Sequence, residues 1–263
     1  MAAFSVGVSE GSAPLLVSFI SESKGDITSL DWDLGNGVTS RETLPIHEFT
    51  VAGNYTVRLT VTGPGGSDTL TLTNVFTVTP GSAVSVEFTS STGEVSAGES
   101  AQFAARVTDL FGNEIGGDVT WSINPGVGAI TSSGSFTATT TSAQYSNAIT
   151  ASFDDIAASI DLEVAPGPLH EIDISPQSFS LPINTTKKFD VVTTDEYGND
   201  VTDYVAEWES DPELGSTKSD GQFFTGQVAG TYPNGVRVSV VQGTIQLTAG
   251  ADITLEPGPP QLI

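Results

Sequence analysis

The sequence predicts an all-β protein built as three β-sandwich domains in tandem. Three observations lead there. Apolar and polar residues alternate strictly in several short runs, as strands half-buried in a sheet require. No window sustains apolar residues at three- and four-residue spacing, and glycine, proline and β-branched residues recur throughout, so no long helix is expected. Three similar junctions, Val78-Thr-Pro-Gly, Val164-Ala-Pro-Gly and Leu255-Glu-Pro-Gly, each follow a strand-like run, and their prolines lie 86 and 91 residues apart. That interval suits a seven-stranded sandwich, which takes roughly 100 residues. The expected units are residues 1–80, 81–166 and 167–256, with 257–263 beginning a further linker.

The first unit is written most plainly. Tyr55, Val57, Leu59 and Val61 share one face of a strand, with Thr56, Arg58, Thr60 and Thr62 on the other. Upstream, Leu30, Trp32 and Leu34 alternate with Asp31 and Asp33, and Gly35-Asn-Gly37 then supplies residues able to turn a tight hairpin. Together with Gly11-Ser-Ala-Pro-Leu, the stretch from Thr28 to Asp68 resembles a PKD domain, the immunoglobulin-like sandwich of microbial surface proteins and secreted degradative enzymes. It departs from that pattern at Leu34 and Asn36, where Phe and Asp are more usual, so one carboxylate able to help hold a cation is missing. Asp33 is expected to accept backbone hydrogen bonds within its turn.

The other two units repeat each other. FAARVTDLFGNEIGGDVTW, Phe103 to Trp121, and FDVVTTDEYGNDVTDYVAEW, Phe189 to Trp208, share an alternating strand, an Asp-x-x-Gly-Asn turn and a later tryptophan. Gly134-Ser-Phe and Gly221-Gln-Phe follow in register. These blocks resemble the bacterial Ig-like repeats of invasin- and intimin-type adhesins, departing by one inserted residue before Trp208 and by Glu207 and Glu209 beside it. The resemblances together imply three immunoglobulin-like sandwiches in an extended arrangement.

With 32 acidic and 8 basic residues the net charge is −24, which repels nucleic acid and anionic membrane surfaces. There is no cysteine, so no disulfide or thiolate metal site supports the domains. No apolar run reaches the roughly 18 residues a membrane helix needs, and Met1-Ala-Ala lacks the basic start of a signal peptide, so the chain is expected to be a piece of a longer protein.

Catalysis is not expected. The two histidines are His47, expected to pack or hydrogen-bond in a strand, and His170, expected to be exposed after the Pro166-Gly-Pro linker. No Gly-x-Ser-x-Gly, His-Glu-x-x-His or phosphate-binding loop occurs. Trp32, Trp121 and Trp208 sit in strand context and are expected in the cores, which leaves Tyr145, Tyr197, Tyr204 and Tyr232 as candidate sugar-binding surface aromatics. Calcium is the cofactor these loops would best suit if they hold one, because it takes carboxylate and carbonyl oxygens from loops. Its candidate ligands are Asp195, Glu196, Asn199 and Asp200, with Asp109, Asn113 and Glu114, and Asp154 and Asp155, as further clusters. Closure of these turns by their own side chains is the favoured explanation of each cluster, since Asx residues close turns on their own backbone without any ion.

The function expected is a non-catalytic stalk segment of a prokaryotic cell-surface protein, of adhesin or surface-layer type, facing extracellular protein or polysaccharide. The alternative is a binding accessory of a secreted hydrolase.

Overall fold

The computed structural model describes residues 1–90 and 93–258; of the expected terminal linker, 259–263 lie outside the described residues. Among the described residues there is no helix, and no strand of one unit pairs with a strand of another. The buried apolar side chains follow the same division. One cluster draws on residues between Ala2 and Val78, two adjoining clusters on residues between Ala83 and Val164, and one on residues between Leu169 and Leu255. This is a tandem of all-β Ig-like sandwiches.

In the first unit one layer is a five-stranded sheet, in the order Glu10–Ser12, Gly66–Thr79, Gly53–Gly63, Ser29–Asp33, Thr39–Ser40. Facing it are Phe4–Val6, Leu15–Ser21 and Ile46–Phe49. The alternation of residues 54–62 maps onto this geometry, since Tyr55, Val57, Leu59 and Val61 are buried while Thr60 bonds Thr69 across the outer surface at 2.9 Å. Trp32, 1% exposed, lies between the layers against Phe4 and Phe19, and its indole N–H reaches the carbonyl of Glu42 at 3.0 Å. That bond satisfies the one polar atom the ring would otherwise bury unpaired.

The second and third units match strand for strand. In the second, Glu94–Ser96, Ile156–Ala165, Ala143–Phe153 and Thr120–Ile123 form one layer; in the third, Ser178–Pro182, Ile245–Glu256, Gly230–Gln242 and Val205–Ser210 do. The opposite layer is in each case a pair, Ala83–Ser90 with Ala104–Asp109 or Glu171–Ser175 with Asp190–Thr194, beside three short strands. Its two parts are tied where the Phe103 N–H donates to Gly134 O and the Phe189 N–H to Gly221 O, both at 2.9 Å. Both glycines have φ of +80°, and a Cβ on either would come within 2.4 Å of the facing carbonyl, which accounts for the recurring Gly-x-Phe.

Two features separate these units from the first. Their long penultimate strands carry a bulge at Asn147 and Asn234, each left-handed, whose N–H groups donate to Asp161 and Asp252 on the last strand at 2.7 and 2.8 Å. In the first unit the bulged residue, Asn74, is on the last strand instead. Trp121 and Trp208 are also half-buried rather than enclosed like Trp32, lying against Phe88 and Phe189 at the rim of their cores. All three tryptophans thus pack on the cores, as expected, but only Trp32 is enclosed. Each of the other two sits on the edge strand of its four-stranded sheet, whereas the strand of Trp32 has a neighbour on both sides.

Candidate functional site

The Asp-x-x-Gly-Asn turns, each just after a strand of the second layer, are where consecutive units meet. In the first, Asp109 Oδ1 accepts the N–H groups of Phe111 and Asn113, both at 2.9 Å, closing the turn on itself. Its Oδ2 accepts the Gly81 N–H at 2.8 Å and Asn113 Nδ2 at 2.7 Å. The carboxylate thus ties the turn to the Pro-Gly junction. Asn113 carries the contact into the preceding unit, its Nδ2 donating to Thr50 O and its Oδ1 accepting from the Ala52 N–H, both at 2.7 Å. The amide spans that loop as a neighbouring strand's peptide group would.

The second turn repeats the first atom for atom. Asp195 Oδ1 accepts from Tyr197 and Asn199 at 2.9 Å, and Oδ2 from Gly167 at 2.8 Å and Asn199 Nδ2 at 2.7 Å. Asn199 Nδ2 donates to Thr140 O at 2.8 Å, and its Oδ1 accepts from Ser142 at 2.9 Å. Gly112 and Gly198 provide the positive φ of the turn. Tyr197 extends this joint, its hydroxyl lying over Gly98 of the second unit, so it is a joint residue rather than a free platform.

Both aspartates are buried, and burial by itself disfavours their charge. For Asp109 that cost is outweighed by the Asn113 amide and the N–H groups of Gly81, Asn113 and Phe111, which hold its pKa down at about 2. Asp195 is lowered in the same way, burial being outweighed by the Asn199 amide and the N–H groups of Gly167, Asn199 and Tyr197. The charge serves as a four-bond acceptor at the centre of each joint.

Of the four expected calcium ligands, the structure brings Asp195 and Asn199 together, but their polar atoms are engaged in the joint. Glu196 and Asp200 are exposed. Among the described residues no three carboxylate or imidazole groups gather as a cation cage. Asp154 and Asp155 are the two-residue turn between Ala143–Phe153 and Ile156–Ala165, with Asp154 left-handed. Asp33 accepts the Gly35 N–H at 3.1 Å and lies 3.5 Å from Arg58.

His47 bonds Asn36 at 2.9 Å and lies edge-on to Phe49, and His170 is exposed. A cleft of about 490 Å³ in the first unit is lined by Ile27, Leu30, Arg41 and Leu44 among others. Arg41 is paired with Asp31 at 2.8 Å.

The PKD domain model matches residues 3–78. Over 61 residues, 23% of this chain, the sequence is 48% identical to the pre-pro-metalloprotease PrtV of Vibrio cholerae, and the match spans 7% of that protein's length. The crystal structure of the PKD1 domain of that metalloprotease is 41% identical, over 29% of this chain and 93% of that domain, with a TM-score of 0.25. Across almost the whole chain the fold is similar to that of FdeC, an Escherichia coli adhesin, at 16% identity, covering 97% of this chain and 96% of that one with a TM-score of 0.56.

Proposed function

We propose, for a chain whose residues 3–78 are a PKD domain followed by two Ig-like units, that it is a non-catalytic structural segment of a prokaryotic cell-surface protein, and that its Asp-x-x-Gly-Asn turns set the angle between successive units. The repeated joint carries this reading. Two units packed only by exposed loops would pivot, because linkers leave relative motion as the default. A buried carboxylate holding the linker, joined to an amide holding the preceding unit, removes that freedom at each junction. Rigid spacing is what a stalk needs to project a part beyond it. An adhesive or surface-layer role, facing extracellular protein or polysaccharide, is the finer form of the proposal, and FdeC's being an adhesin is in keeping with it.

The 48% identity with PrtV favours a second reading, in which the chain is a binding accessory of a secreted hydrolase. Reading the flanking gene and labelling intact cells with antibody to this chain distinguishes the two. Further Ig-like units with a wall or membrane anchor, and label on the cells, are expected. A catalytic domain in the same reading frame with label in the medium would overturn the stalk reading in favour of the accessory.

A further inference from the structure

The third unit carries the receiving half of a joint that no described residue fills. In the first two units that half is a backbone carbonyl and an N–H two residues on, placed five and three residues before a tyrosine: Thr50 and Ala52 before Tyr55, Thr140 and Ser142 before Tyr145. The same offset from Tyr232 gives Gln227 O and the Ala229 N–H. The loops correspond in structure as well. Tyr55 donates its hydroxyl to Val51 O at 2.6 Å, and Tyr232 to Val228 O at 3.1 Å, so both loops are held over the start of the same strand. The residue between carbonyl and N–H is exposed in each, 61% at Val51 and 51% at Val228.

What differs is cover. Ala52 and Ser142 are half-buried beneath their asparagines, whereas Gln227 and Ala229 are exposed and have no hydrogen-bond partner there among the described residues. The linker half recurs too, since Glu256-Pro-Gly258 follows the last strand as Thr79-Pro-Gly81 and Ala165-Pro-Gly167 follow theirs, and Gly81 and Gly167 give their N–H groups to the joint aspartates.

We infer that Gln227–Ala229, with Gly258, forms a docking site for a further Ig-like unit bearing an Asp-x-x-Gly-Asn turn. The asparagine of that turn donates to Gln227 O and accepts from the Ala229 N–H, and its aspartate accepts from Gly258. The recognition is of backbone, so any unit with the turn in this geometry is accepted whatever the side chains of the loop. This deepens the stalk reading and rests on it, by making the third unit a propagating member of an array.

The test is a fusion in which the chain through Gly258 is followed by a second copy of residues 82–166. Amide hydrogen exchange is then measured at Ala229, and at Ala52 and Ser142 as reports on the existing joints. Ala229 is expected to exchange at least about tenfold more slowly in the fusion than in the unfused chain. Asn113→Ala in the appended copy alone should abolish that protection. Protection of the Ile149–Ala151 amides in the appended copy establishes that it is folded; where it is not, a copy of residues 168–256 replaces it, with Asn199→Ala as the control. Unchanged exchange at Ala229 beside a folded appended unit overturns the inference. If Ala52 and Ser142 remain protected in that case, the stalk reading stands and this inference alone falls.

Discussion

Asn113 holds the carboxylate of Asp109 at 2.7 Å with the same nitrogen that reaches Thr50 in the preceding unit, and Asn199 repeats this with Asp195 and Thr140. One amide therefore couples the conformation of a turn to the position of a neighbouring domain. Loss of the turn and loss of the joint are expected to be one event.

Asn113→Ala removes the bonds to Thr50, Ala52 and Asp109 together. Leaving such groups unpaired costs about 1–3 kcal/mol where they stay out of water, less where the joint opens and lets water in. The Ala52 amide should exchange faster while Val57 and Leu59 in the core keep their protection. Asn199→Ala should do the same at Ser142, and Asn113→Asp should fail to rescue, because it replaces the Nδ2 donor with an acceptor.

The joints should loosen in acid. A carboxylate whose folded pKa is depressed contributes stability that is fully present above its unfolded pKa, about 3.9, and lost as pH falls through the folded value. For Asp109 the folded value is about 2, so its contribution is constant at neutral pH and fades between about pH 4 and pH 2. Asp195 shifts in the same direction. Exchange at Gly81 and Gly167 followed from pH 6 down to 2, corrected for intrinsic rates, reads this directly; protection independent of pH across that window would contradict it.

The three tryptophans should not be equivalent. Trp32→Ala empties a site enclosed by Phe4 and Phe19 and should cost about 3–5 kcal/mol, confined to the first unit's unfolding transition. Trp121→Ala and Trp208→Ala remove half-buried rings and should cost less. Denaturant unfolding of the three variants orders them, and an equal loss in all three would refute the difference in burial.

Calcium coordination by Asp195, Glu196, Asn199 and Asp200 stands as a proposal of its own, competing with the joint for the same atoms. An ion on Asp195 Oδ2 has to displace Gly167 or Asn199, so saturable calcium heat should be accompanied by faster exchange at Gly167. A thermal midpoint raised as much by sodium at matched ionic strength would reduce the effect to screening of the −24 charge.

The sandwich was legible where side chains write it. Tyr55 to Val61 and Leu30 to Leu34 announce their buried faces by period alone, and Gly35 and Gly37 take the positive φ their turn implied. The Asp-x-x-Gly-Asn repeat was visible too, but only as a turn. Its partners were not, because Thr50-Val-Ala52 and Thr140-Thr-Ser142 are bound through carbonyl and N–H groups that every residue but proline offers. No side-chain pattern could mark them. The bulge asparagines at 147 and 234 were missed as well, although each lies two residues after Tyr145 or Tyr232, with Asp161 or Asp252 opposite.

The central claim is that these turns fix the angle between units, and the distance distribution between spin labels on the first and second units tests it most directly. With labels on exposed Thr69 and Ser159, the native chain should give one narrow distribution at pH 7, and Asn113→Ala should broaden it while both cores remain folded. A distribution equally narrow in the variant, or already broad in the native chain, would contradict the claim.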